Sequence, residues 1–226
     1  METIFVKQKI IFNMGKNGIK IYYGEKLVCI SNRCPLDNSA DRIVWHYKEG
    51  KDLGQIFIKF AENDLFSTLF LWSGNEYRVL KNEFFSLFKI INAAGGVVKN
   101  EKGEILTIYR NGKWDLPKGK IEKRKETHRK AAVREVQEET GLKTVKIVRP
   151  LVTTYHIYCK RKRLILKLTY WFEMFAESSN KLKPQSRENI SIVTWVDDEE
   201  MADVQKHTYA SLRDIFTLSQ SYQPGI

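Results

Sequence analysis

The sequence of 226 residues predicts an α+β protein, a sandwich of strands and helices, preceded by a small N-terminal α/β domain. Three observations carry this. Segments rich in β-branched and aromatic residues lie before and after one central helical pattern at 127–141. A second helical pattern closes the chain at about 208–218. The first 90 residues mix strand-like and helix-like stretches and carry no recognisable chemistry.

In chain order, residues 5–12 and 18–23 read as strands joined by the turn at 14–18. Residues 53–60 (LGQIFIKF) alternate like a further strand, and 76–91 space their apolar residues as an amphipathic helix. Trp45 and His46 are isolated and read as structural. A second domain, 91–226, opens with the small residues and β-branched pair of 92–98, a buried strand, and 104–110 follows as its neighbour. Trp114, Asp115 and Leu116 lead into the central helix. Thr127 is its candidate N-cap, and Gly141 sits where a left-handed C-terminal cap is expected. Strands at 145–158, 164–176 and 191–196 come next, the first two joined by the basic tip Lys160-Arg161-Lys162-Arg163.

Composition sets limits. Hydrophobic residues make up 42% and support a core, and no apolar run is long enough for a membrane span. The N-terminus lacks the pattern of a signal peptide. Cys29, Cys34 and Cys159 form no close pair, so reduced thiols in the cytoplasm are expected, without a zinc site. The net charge of +11, concentrated at 118–130 and 160–163, favours acidic partners such as nucleotides or polyphosphates.

The most informative run is Arg134-Glu135-Val136-Gln137-Glu138-Glu139-Thr140-Gly141-Leu142. Glu135, Glu138 and Glu139 stand at i, i+3 and i+4, on one helix face. Three crowded carboxylates repel unless a cation separates them, and a hard divalent ion such as Mg²⁺ or Mn²⁺ prefers oxygen ligands. An acidic face alone is more often simply solvated; the context here argues otherwise.

With its leader Leu116-Pro117-Lys118-Gly119-Lys120, the segment resembles the Nudix box. Glu126, Arg134, Glu135, Val136, Glu138, Glu139, Gly141 and Leu142 match in order and spacing. One departure stands out: six residues separate Gly119 from Glu126 where the family has five, an insertion in the loop before the helix. A second is the basic first turn, His128, Arg129 and Lys130, which opposes the helix dipole at about 0.3–1 kcal/mol per exposed charge and would help attract a polyanionic substrate.

The resemblance implies a Nudix-like α/β/α sandwich with a mixed sheet and a metal-dependent hydrolase that cleaves a diphosphate linkage. It implies Glu138 and Glu139 as direct metal ligands and Glu135 as a ligand or the water-orienting base. The backbone carbonyl of Lys118 is a further ligand, and Arg134 pairs with Glu126 to pin the loop to the helix. Glu188, in the loop before the last strand, is the candidate carboxylate from outside the box. Lys118, Lys120 and Arg110 are the candidate phosphate contacts. Tyr155, His156, Tyr158 and Tyr170 are available to stack a base, although strand aromatics more often belong to cores. The expected substrate is a small polyanionic phosphate, a nucleoside-diphosphate-linked compound or a dinucleoside polyphosphate. Two other classes stay open, a nucleotide-sensing or nucleic-acid-binding regulator and an RNA 5′-end pyrophosphohydrolase; nucleic acid is the less favoured partner. The N-terminal domain would serve any of these, pair two copies as a homodimer, or cover the site.

Overall fold

The computed structural model describes residues 18–35, 39–48, 52–122 and 125–220. The expected strand at 5–12 and most of its turn lie outside the described residues. The chain then runs through β1 (Gly18–Tyr23), β2 (Lys26–Ser31), β3 (Arg42–His46), α1 (Leu53–Glu62), β4 (Thr68–Trp72) and α2 (Tyr77–Ser86). It continues through β5 (Lys89–Lys99), β6 (Ile105–Arg110), β7 (Lys113–Asp115), β8 (Lys118–Lys120), α3 (His128–Thr140) and β9 (Lys146–Lys160). It ends with β10 (Arg163–Phe175), β11 (Ile190–Val196), α4 (Asp198–Lys206) and α5 (Ala210–Gln220).

Three segments differ from the sequence expectation. Residues 53–60 are helical, not a strand. Leu53, Phe57 and Phe60 are buried at helical spacing, and the Asp52 side chain caps the first turn by accepting from the Gln55 amide. The apparent alternation arose from a short apolar run, which either period can claim. The helix expected over 76–91 ends at Ser86, and 89–91 already pair in parallel with 165–167. Their β-branched Ile90 and Ile91 suit the sheet. α4 was not anticipated. Its sequence, DEEMADVQK, buries only Met201 and Val204, and Asp197 caps it through the Glu200 amide.

The described strands form one mixed sheet in the order β11-β6-β5-β10-β9-β1-β2-β4-β3, with β7 on β6 and β8 on β5. β5 and β10 run parallel, β9 and β10 antiparallel. β1 pairs in parallel with β9, matching Ile21 with Tyr155, Tyr22 with His156 and Tyr23 with Ile157. Helices cover both faces. Even-numbered side chains of β10 meet two cores in succession, Leu166 among α1 and α2 and then Phe172 and Met174 beneath α3. Trp171, odd-numbered, faces Met201, Leu212 and Phe216 of α4 and α5. The α/β/α layering and mixed sheet of the sequence expectation are therefore present.

Candidate active site

α3 carries the site, and its ends are fixed as its sequence dictates. Thr127 accepts from the Lys130 amide, and Gly141 closes the helix at φ +78. Ala131, Ala132 and Val136 press against the sheet. The basic first turn also has partners: His128 stacks on Tyr170 at 3.7 Å between ring centroids, and the Arg129 guanidinium lies over Phe172.

Two of the three helix carboxylates do not lie on a solvated face. Glu139 is 0% exposed and Glu135 4%. At about 100° per residue, Glu135 lies between its two neighbours, Glu139 on the buried side and Glu138 on the exposed one. Glu135 fits because Gly119 stands opposite; a Cβ there would lie 1.9 Å from its Oε2. Arg134 organises the outer side. Its Nε and Nη2 donate to the two oxygens of Glu126 at 2.8 and 3.2 Å. Its Nη1 donates to Glu135 at 2.7 Å and to Glu138 at 3.0 Å, and its Nη2 also to the Lys120 carbonyl at 3.0 Å.

Arg110 organises the inner side. It donates to Asp115 at 2.9 Å, to Glu139 at 3.0 Å and to Glu188 at 3.3 Å. The Lys118 amide donates to the second oxygen of Glu139 at 2.8 Å, and its ammonium to Asp115 at 2.5 Å. Arg110 and the Lys118 ammonium are thus committed to carboxylates, while the Lys120 side chain is exposed. Asp115 is buried and escaped the sequence analysis; an acid inside the apolar stretch Trp114-Asp115-Leu116 was its only signal. Burial would raise its pKa, but Lys118 and Arg110 outweigh burial and hold it below the usual carboxylate range.

The loop after β10 brings in Glu188. The Lys183 amide donates to the Thr140 carbonyl at 2.8 Å and the Gln185 amide to that of Glu139 at 3.3 Å. Glu135, Glu139 and Glu188 each place one carboxylate oxygen within 4.8 Å of the other two. Glu138 stays at the edge, bound to Arg134. Burial pushes Glu139 up to about 8 despite Arg110 and Lys118. Burial also raises Glu135, with Glu138 and Glu188 adding to it. Carboxyl oxygens that converge, two of them buried where only a cation would favour their ionised form, are a donor set that suits a hard divalent cation, so these residues fit one.

The NUDIX domain family model matches residues 89–217, more than half of the chain, and the chain belongs to that family. Its class is that of the Nudix pyrophosphohydrolases. The match begins at the first residue of β5 and leaves β1 to β4 outside it. Solved structures similar to this chain include a MutT protein from Methanosarcina mazei Go1, at 24% identity over 59% of this chain and 95% of that one, with a TM-score of 0.43. A bifunctional NMN adenylyltransferase/ADP ribose pyrophosphatase from Francisella tularensis, complexed with AMP and a Mn ion, is 17% identical over 74% of this chain and 52% of its own, TM-score 0.46. An Ap4A hydrolase from C. elegans is 19% identical over 58% and 99%, TM-score 0.40. No described helix is long and apolar enough to cross a membrane.

Proposed function

We propose that this protein hydrolyses the diphosphate linkage of a nucleoside-diphosphate-linked or dinucleoside polyphosphate substrate, with Mg²⁺ or Mn²⁺ as its cofactor. The convergence of Glu135, Glu139 and Glu188 on one point is the observation that carries this. These three would hold the cation, which when bound neutralises phosphate charge and activates a water. The chain's own residues do the rest by position. Glu138 is half-exposed, with one oxygen tied to Arg134, and is the base for a water at the rim. Arg134 and Glu126 hold the approach loop and helix in register. Arg110 keeps Glu139 and Glu188 together, and exposed Lys120 meets the incoming phosphates.

The test is hydrolysis of nucleoside triphosphates, dinucleoside polyphosphates, nucleotide sugars and capped RNA, read as the two phosphorylated products left by cleavage of one P–O–P linkage, with and without metal. The double variant Glu138→Gln/Glu139→Gln should lose at least two orders of magnitude in kcat/KM, as should the chelated wild type, a loss of about 2.7 kcal/mol or more in transition-state stabilisation. Turnover indifferent to both treatments would sink this reading. A regulator would bind nucleotide without any metal-dependent turnover.

A further inference from the structure

β1 lies outside the span matched by the family, yet its Tyr22 shares a face of the sheet with His156 of β9 and Lys167 of β10. Tyr22 of β1 and His156 of β9 are register partners. Both line a cavity of about 160 Å³ together with Glu25, Lys113, Tyr209 and Ser211. The wall is fixed from behind. The Tyr22 hydroxyl donates to Asp214 at 2.7 Å, Lys20 reaches the same oxygen at 3.2 Å, and Arg213 of α5 grips Glu25 at 3.0 Å. Since its hydroxyl is engaged, Tyr22 has its ring to offer.

The cavity adjoins the carboxylate site through β7, on which Lys113 and Asp115 share a face. The charges of Asp115 and Arg110 act on Tyr209, and those of Lys118 and Asp115 on His156. Beside the cavity's His156, as its β10 partner, stands Lys167. Its side chain makes no hydrogen bond or ion pair among the described residues. Burial, helped by the cations Lys118 and Arg110 and opposed by Asp115 and Glu139, lowers its pKa to about 8. A half-buried ammonium facing other cations without a bonded anion is costly, and a phosphate would relieve it. The cavity offers something different: two phenol rings, a hydroxyl and an imidazole that burial keeps neutral, its charged groups being the Lys113 ammonium 5.1 Å from the Tyr209 ring centroid and Glu25, which Arg213 holds. Flat faces with neutral donors and acceptors suit a heteroaromatic ring better than a second phosphate.

We infer that this cavity seats the nucleobase of the substrate, with Tyr22 of the N-terminal strand as a specificity-determining residue and Lys167 as the contact for the phosphate that follows the base. The inference rests on the hydrolase reading for the phosphate path but not for the pocket itself. AMP and inorganic pyrophosphate, titrated calorimetrically into the full-length protein, separate the two. Tyr22→Leu should cut the preference for AMP over pyrophosphate about tenfold, within the range for one base–aromatic contact. Tyr22→Phe, which keeps the ring, should hold that preference, and Lys167→Met should weaken both ligands. In the wild type, hydrogen exchange should show AMP protecting residues 22–25 and the start of α5, a readout that needs no variant to fold. An unchanged AMP preference in Tyr22→Leu, absence of AMP binding by the wild type, or protection elsewhere would overturn the inference. AMP binding at this footprint without metal-dependent turnover would instead sink the hydrolase reading and leave the pocket standing.

Discussion

At Gly119 the site tolerates no side chain, because the Glu135 carboxylate occupies the space a Cβ would take. Gly119→Ala should therefore displace Glu135. Overpacking of this kind costs about 1–3 kcal/mol, and the larger effect should be on divalent-cation affinity, which isothermal titration would show falling at least tenfold. His156 supports a pH prediction. Burial, with Lys167 and Lys118, pushes its imidazole down to about 4, whereas an unfolded chain holds it near the ordinary value of about 6.5. Between those values the unfolded state binds a proton that the folded state refuses. The contribution of His156 to stability should thus fall as the pH drops from about 6.5 to 4 and level off below, opposite in sign to that of Glu139, whose raised pKa favours the folded state as the pH falls. In urea denaturation across that range, the stability of the wild type relative to His156→Gln should fall as the pH drops. At this scale, spacing made Glu126, Arg134 and the carboxylate trio legible. It did not reveal that Glu139 is buried while Glu138 is exposed, since both belong to one arc of a helical wheel. Asp115 and Lys167 were hidden for another reason: a polar residue in a strand looks like the solvent side of an alternating pattern until its pairing partners are known.

Helix ends were legible where a cap was present at the end of a periodic run, as at Thr127 and Gly141. They were not where apolar residues are dense or sparse. α1 packs five apolar residues into LGQIFIKF and mimics a strand, while α4 is mostly acidic and mimics a loop. The Asp52 cap tests the helical assignment. Asp52→Ala should lower stability by about 1 kcal/mol and Asp52→Ser should retain it, as read from denaturant midpoints. Gly141 tests how the loop carrying Glu188 is held. Its φ of +78 and a distance of 2.9 Å from a would-be Cβ to the Lys183 amide leave no room for alanine. Gly141→Ala should cost about 1–3 kcal/mol through strain at this positive φ. It should also weaken cation binding by moving Glu188, whereas a change in stability alone would separate the loop from the site.

For the molecule as a whole, the central sheet and layering were legible from the alternation of strand and helix patterns, but the join between β1 and β9 was not, because no local signal specifies a partner more than 130 residues away. That join has a consequence for any shortened chain. One starting at residue 89 would leave the middle of β9 with unpaired amides and carbonyls along a long edge, and would bare Ile157 and Leu166, now buried beside α1 and α2. Exposed edges of that sort recruit strands from other molecules. Such a fragment, although it spans the whole matched family region, should self-associate in light scattering, while the intact chain should melt in a single cooperative transition.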